Sequence, residues 1–104
     1  MKDIQGMLKQ AQALQAKMSA LQEELRTREL VGTSGGGAVT ITMNGAHEVT
    51  AVSIDPSVVK PEEADLLEDL VLVAHRDARG RISRMVEEEM GRLTGGMGLP
   101  PGLF

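Results

Sequence analysis

Apolar residues recur along the first part of the chain at alternating spacings of three and four. Ile4, Met7, Ala11, Leu14, Met18, Leu21 and Leu25 follow this rhythm, with Leu8 widening the stripe. That is a heptad register, and the residues between are Gln, Ala, Lys and Glu, all good helix formers. The spacing predicts a helix from about Lys2 to Arg28, roughly 40 Å long at 1.5 Å per residue. The rhythm then changes. Val39, Ile41 and Met43 alternate with Thr40 and Thr42, the period of a half-buried strand. Asn44-Gly45 follows, and this dipeptide predicts a type I′ hairpin turn with positive φ at both residues. The return strand is expected over His47 to Ile54. Its pattern is split, with Val49 and Ala51 on one face and Val52 and Ile54 on the other, which either a bulge or burial on both sides would produce. Upstream, Gly35-Gly36-Gly37 reverses the chain once more, so Glu29 to Ser34 reads as a shorter first strand.

Helical spacing returns further on. Asp55-Pro56-Ser57 is a turn signature that closes the sheet, with room for one helical turn through Val59. Pro61 suits the first position of a helix, and Glu62, Glu63 and Asp65 favour the positive end of its dipole. Leu67, Leu70, Val71, Ala74, Ala78, Ile82, Met85 and Leu93 then mark one face. Gly80 interrupts this pattern at a cost of about 1 kcal/mol against Ala, which points to a close contact or a slight bend. Gly95-Gly96 is expected to stop the helix. The expected organisation is one α+β domain over residues 1–94. It comprises a long helix, a three-stranded antiparallel meander and a second long helix (α-βββ-α). Residues 95–104 are expected to be a flexible C-terminal tail, with too much Gly and Pro to fold alone.

A three-stranded sheet cannot cover a 40 Å helix. The first stripe therefore packs on the chain's own second helix and sheet, on another subunit, or on each along different turns. A homodimer is the expectation, with Ile4, Met7, Leu14, Met18 and Leu21 in its interface. Composition supports burial between subunits. The chain has 104 residues, no Trp or Tyr, and a single Phe, so its core is drawn from Leu, Val, Ile, Ala and seven Met. Without cysteine, disulfides and thiolate chemistry are excluded. Nothing at the N-terminus reads as a signal peptide, and polar residues break every apolar stretch well short of a membrane span. A soluble cytoplasmic protein with no membrane partner is expected.

The net charge of −4 conceals an alternation. Residues 1–28 carry +2, residues 29–54 −2, residues 55–73 −5, residues 74–86 +3, and the remainder −2. Enzyme chemistry finds no support. The Gly-rich stretch lacks the Lys-Ser/Thr and the following helix of a phosphate loop. His47 and His75 have no shared metal spacing, and Ser34, Ser53 and Ser57 have no evident base. No catalytic residue, metal, cofactor or small-molecule substrate is expected. The basic residues are the remaining candidates. Arg76, Arg79, Arg81 and Arg84 lie within nine residues, opposed only by Asp77, and Lys2, Lys9 and Lys17 dot the first helix. As ordinary solvated charges they would pair with neighbouring acids. As a binding surface they suit duplex phosphates. The chain lacks aromatics to stack on single-stranded bases, and it has no recognition helix, zinc or homeodomain pattern.

The amphipathic first helix running into GTSGGGAVTITMNGAHEVTAVSIDP, then ADLLEDLVLVAHRDA, then GGMGLPPGLF, resembles the YbaB/EbfC nucleoid-associated proteins of bacteria over essentially the whole chain. The resemblance implies an α-βββ-α fold, an intertwined homodimer with projecting helices, duplex DNA as partner, and a place in the nucleoid. It supplies no invariant motif for single residues, so the seven basic positions above rest on charge alone. The run VAHRDARGRISR is more arginine-rich than the family leads one to expect. Shaping of the chromosome, with possible influence on gene expression, is the expected role. A helical adaptor for a DNA replication or repair protein is the alternative.

Overall fold

The computed structural model describes residues 2–96, with side chains from Asp3 to Gly95. The elements are α1 (Lys2–Thr27), β1 (Glu29–Ser34), β2 (Val39–Asn44), β3 (Val49–Ile54) and α2 (Ala64–Gly96). Short 3-10 turns occupy Gly35–Gly37, Pro56–Val58 and Pro61–Glu63. The strands form an antiparallel meander in the order β1-β2-β3, so the expected α-βββ-α architecture is the observed one. Gly95 and Gly96 complete α2, and the rest of the expected tail, residues 97–104, lies outside the described residues.

The core is the contact between one face of the sheet and α2. Val39, Ile41 and Met43 of β2 meet Ala74, Ala78, Ile82 and Met85 of α2, and Leu25 closes the cluster from the last turns of α1. These α2 positions are the apolar face read from helical spacing. The small residues at 74 and 78 let the helix lie almost on the backbone of β1. A Cβ at Gly32 would stand 2.2 Å from the Ala78 amide nitrogen and 2.4 Å from the Ala74 carbonyl oxygen. Polar bonds fix the same seam. The Thr33 amide, on the open edge of β1, donates to Asp77 Oδ2 at 2.9 Å, and the Ser34 hydroxyl donates to the Leu70 carbonyl. Arg28 Nη1 reaches Glu89 Oε1 at 3.0 Å and ties the end of α1 to α2.

The split pattern of the third strand comes from a bulge. Thr42 pairs with Ala51 and Met43 with Val49, which leaves Thr50 without a partner. The extra residue shifts the alternation, so Val49, Val52 and Ile54 all stand on the face that carries Met43, Ile41 and Val39. The α2 helix lies over β1 and β2 and does not reach across β3. Val49 and Val52 therefore remain 45% and 54% exposed although they point to the helix side of the sheet.

The β2–β3 turn differs from the expected type I′ geometry. Neither Asn44 nor Gly45 has positive φ; the left-handed residue is His47, at φ 63°. His47 N–H donates to the Asn44 carbonyl at 3.0 Å, and Asn44 N–H donates to the Glu48 carbonyl at 2.9 Å. The connection is a three-residue loop ending in a left-handed residue, so the return strand starts at Val49 and not at His47. The Asn44 side chain organises the loop by accepting from the Ala46 and Glu48 amides at 2.9 and 3.1 Å. Gly45 has a different task. Its N–H donates to the Leu25 and Arg28 carbonyls, which caps α1, and a Cβ there would stand 2.4 Å from the Leu25 oxygen. The triple glycine behaves as expected of a turn, with positive φ at Gly35, Gly36 and Gly37.

The α1 helix is covered only at its end. Leu25 is buried, Leu14, Met18 and Leu21 are half-buried, and Ile4, Met7 and Leu8 are exposed. With both helices projecting past the sheet, the molecule measures 72 × 21 × 16 Å and its radius of gyration is 19.5 Å. A compact chain of this length has a radius of gyration of about 13 Å.

Two predictions follow from the α2–β1 seam. Gly32→Ala is expected to destabilise by about 3 kcal/mol, because backbone on both sides blocks the new methyl, whereas Gly80→Ala, where the methyl meets nothing within 4 Å, should stabilise the fold by up to about 1 kcal/mol. Urea denaturation of the two variants against the parent reads this contrast. The second concerns acid. The Thr33 amide, followed by the Arg81 guanidinium, holds the Asp77 carboxyl below the usual carboxylate range. A depressed folded pKa contributes stability above the unfolded pKa and loses it as pH falls through the folded value. The parent should therefore melt higher than Asp77→Ala at neutral pH, and the gap should close as pH falls below the ordinary carboxylate range.

Candidate nucleic-acid interface

The middle of α2 is the basic part of the chain. Arg76 to Arg84 spans about 12 Å of helix, and all four arginines are exposed. They do not form one patch. With Ala74, Ala78 and Ile82 turned to the sheet, a 100° step per residue puts Arg76 and Arg84 on the outer side of α2. The same step places Asp77 and Arg81 on the flank above β1, and Arg79 on the opposite flank.

Asp77 organises this segment. Its carboxylate takes the Thr33 amide and the Nε of Arg81, the latter at 3.3 Å, and the nearby Arg84 charge adds to the field that keeps it ionised. Arg81 is thereby directed along the β1 flank as half of an i,i+4 ion pair, and Arg76, Arg79 and Arg84 carry the charge that faces solvent. In the sequence Asp77 is the one acid among the four arginines, a neighbour with which they would pair as solvated charges. The i,i+4 spacing to Arg81 was a legible signal of the pairing. The bond to Thr33 was not, because it joins residues 44 positions apart.

The lysines lie elsewhere. Lys9 is exposed on the part of α1 that leaves the body, 16 residues or about 24 Å along the helix from the buried Leu25. Lys17 is exposed nearer the body, and the side chain of Lys2 lies outside the described set. The fold thus gathers the four arginines on α2, while Lys9 and Lys17 belong to α1. The acidic residues Glu62, Glu63, Asp65, Glu68 and Asp69 sit at the N-terminal end of the same helix and in the turn before it. With Glu87, Glu88 and Glu89 toward its C-terminal end, α2 therefore carries its positive charge in the middle, between two acidic segments.

Other chemistry is sparse. His47 Nε2 lies 3.4 Å from the Ser83 hydroxyl, a link between the hairpin loop and α2. Among the described residues no group of three or more His, Asp or Glu side chains converges as a metal site would require. No described helix is long and apolar enough to cross a membrane.

The profile of the YbaB/EbfC DNA-binding family matches residues 1–97. Proteins called nucleoid-associated protein are similar along their whole length. That of Nitrobacter hamburgensis is 53% identical over 103 residues, which is 99% of this chain and 97% of the relative. That of Brucella anthropi is 48% identical over 102 residues, 98% of this chain and 95% of the relative. The crystal structure of an uncharacterized protein from Helicobacter pylori superposes with a TM-score of 0.65 at 22% identity, covering 75% of this chain and 90% of the other, and shares the fold. With an α-βββ-α architecture, an arginine-bearing second helix and a family match from end to end, the chain belongs to the YbaB/EbfC DNA-binding family.

Proposed function

We propose that this protein binds duplex DNA through its phosphate backbone, with weak sequence preference, and acts in the nucleoid to shape the chromosome. The observation that carries this reading is the set of exposed arginines at 76, 79 and 84, presented by a rigid helix whose other side is the protein core. A guanidinium matches phosphate oxygens in charge and geometry. With one aromatic residue in the whole chain, stacking on unpaired bases is not an available mode. The arginines differ in reach. Arg76, Arg79 and Arg84 make the phosphate contacts, Arg81 contributes from its ion pair with Asp77, and Lys2, Lys9 and Lys17 extend the positive field along the first helix. The family and the names of the relatives support the same reading. Catalysis forms no part of it.

The binding unit is a homodimer. The chain exposes 7312 Å² of surface, against about 5,700 Å² for a compact monomer of this mass. The uncovered stripe of α1 contributes to the excess, and a second copy packed along Ile4, Met7, Leu14, Met18 and Leu21 would bury it. The bare side of β3, with Val49 and Val52, is a second apolar surface available to the same partner.

Two predictions test the reading. If about six phosphates are contacted in all, counterion release gives a log–log salt slope near −5, and affinity falls by roughly three decades between 50 and 200 mM salt. Replacing Arg76, Arg79 and Arg84 by Gln should flatten the slope and weaken binding on all sequences alike while the fold is kept. Gel shifts on duplex DNA across a salt series read this. Absence of binding by the parent at 50 mM salt would overturn it in favour of the adaptor reading. Leu14→Glu or Leu21→Glu should dissociate or unfold the dimer, because an unpaired charge in an interface costs several kcal/mol. Analytical ultracentrifugation checks this, and a well-folded 11.1 kDa parent monomer at micromolar concentration would refute the dimer.

A further inference from the structure

The end of α1, the β2–β3 loop and the last third of α2 enclose an open hollow of about 310 Å³. Its floor is apolar. Leu25 is buried there, and Val86 and Met90 stand half-buried along one side. Its rim is made of hydrogen-bond donors. Gln22 and Arg26 project from α1 and His47 from the loop, and all three are exposed. Arg26 pairs with Glu23 at 3.6 Å on the open surface, a contact worth little in water. None of the α1 positions assigned to the homodimer lines this hollow.

The chain itself supplies a segment that suits the hollow. Residues 97–104, MGLPPGLF, follow α2 directly, carry no charged side chain and include the one aromatic residue, Phe104. Pro100 and Pro101 have no N–H to leave unpaired, and they favour an extended polyproline conformation with solvated carbonyls. Apolar side chains match the apolar floor, and carbonyl acceptors match the rim of donors. The reach is sufficient. Met90 and Val86 lie six and ten residues before Gly96, about 9 and 15 Å along the helix. Eight extended residues cover about 25 Å at 3.1 Å each. Gly95-Gly96 is the kind of pair at which a helix can end in a reversal. So short a tether keeps the segment at high effective concentration beside the hollow, and an outside ligand has to compete with it.

We infer that residues 97–104 turn back past Gly96 and dock, extended, in this hollow of their own chain. Pro100 and Pro101 lie over Met90 and Val86, their carbonyls accept from Gln22 and Arg26, and Leu103 and Phe104 close against the His47 edge. The strap joins α1, the loop and α2, and so fixes the direction in which the first helix leaves the body. It depends neither on the DNA reading nor on the homodimer.

The chain has no Trp, so Phe104→Trp in the full-length protein reports on this segment alone. Its emission should be blue-shifted, and acrylamide should quench it severalfold more slowly than the same Trp in a synthetic peptide of residues 97–104. Ala46→Arg, at an exposed loop position lining the hollow, should return both readings to those of the peptide. Gln22→Arg should do the same from the helix side, with circular dichroism as the check on folding of each variant. Excess Ala46→Arg chain without Trp separates the possible occupants. Subunit exchange with it leaves a segment docked on its own chain undisturbed and frees one docked on a second copy. Peptide-like emission from Phe104→Trp, emission indifferent to both arginine substitutions, or loss of the blue shift on mixing would each overturn the inference. Failure of the gel shift with the fluorescence result intact would bear on the DNA reading alone.

Discussion

The close approach of α2 to β1 is the contact on which the rest of the structure depends. It requires three small residues at once. Gly32 on the strand has no room for any side chain, and Ala74 and Ala78 on the helix present only methyl groups. This seam places Asp77 over the open edge of β1, where its carboxylate satisfies an amide that a neighbouring strand would otherwise claim. It also sets which face of α2 is inside. Once Ala74, Ala78 and Ile82 are committed to the sheet, the outward direction of Arg76 and Arg84 follows from helix geometry.

What the seam leaves uncovered matters as much. A single helix laid over β1 and β2 cannot also cover β3, and the bulge at Thr50 puts Val49 on the same face as Val52, where both stay exposed. The α1 helix, pinned at its end by Leu25 and by the Gly45 bonds to its last carbonyls, carries most of its apolar stripe into solvent. The elongated body therefore keeps much apolar surface uncovered by its own chain.

Charge is distributed along α2 to similar effect. An arginine-rich middle between an acidic start and an acidic end concentrates positive charge on one stretch of the helix despite a net charge of −4. The local potential along the helix is therefore positive at its middle and negative at both ends. An acidic protein can bind DNA on these terms, because the field within a Debye length of the arginines is local and not an average over the chain.

Helix periodicity, the strand alternation of Val39 to Met43 and the glycine turn are local properties, and each was legible in the sequence because neighbouring residues alone determine it. The extents of β1 and the composition of the α2 inner face were readable for the same reason, as was the clustering of four arginines within nine residues. The hairpin was legible as a turn but not in its type. Asn44-Gly45 carries the usual signal for positive φ, yet Gly45 is needed where the chain passes the Leu25 carbonyl, and the left-handed role falls to His47. The bulge could be suspected from the split pattern and was decided by pairing with β2. Gly32 read as an ordinary glycine, since its reason lies in a helix more than forty residues away. The same holds for Asp77, whose carboxylate is committed to a distant strand edge. Sequence by itself determined the elements and their charges, because these depend on local spacing. Tertiary structure decided which surfaces are covered, which glycine serves space and which serves φ, and which arginine is tied down, because those depend on contacts between residues far apart in the chain.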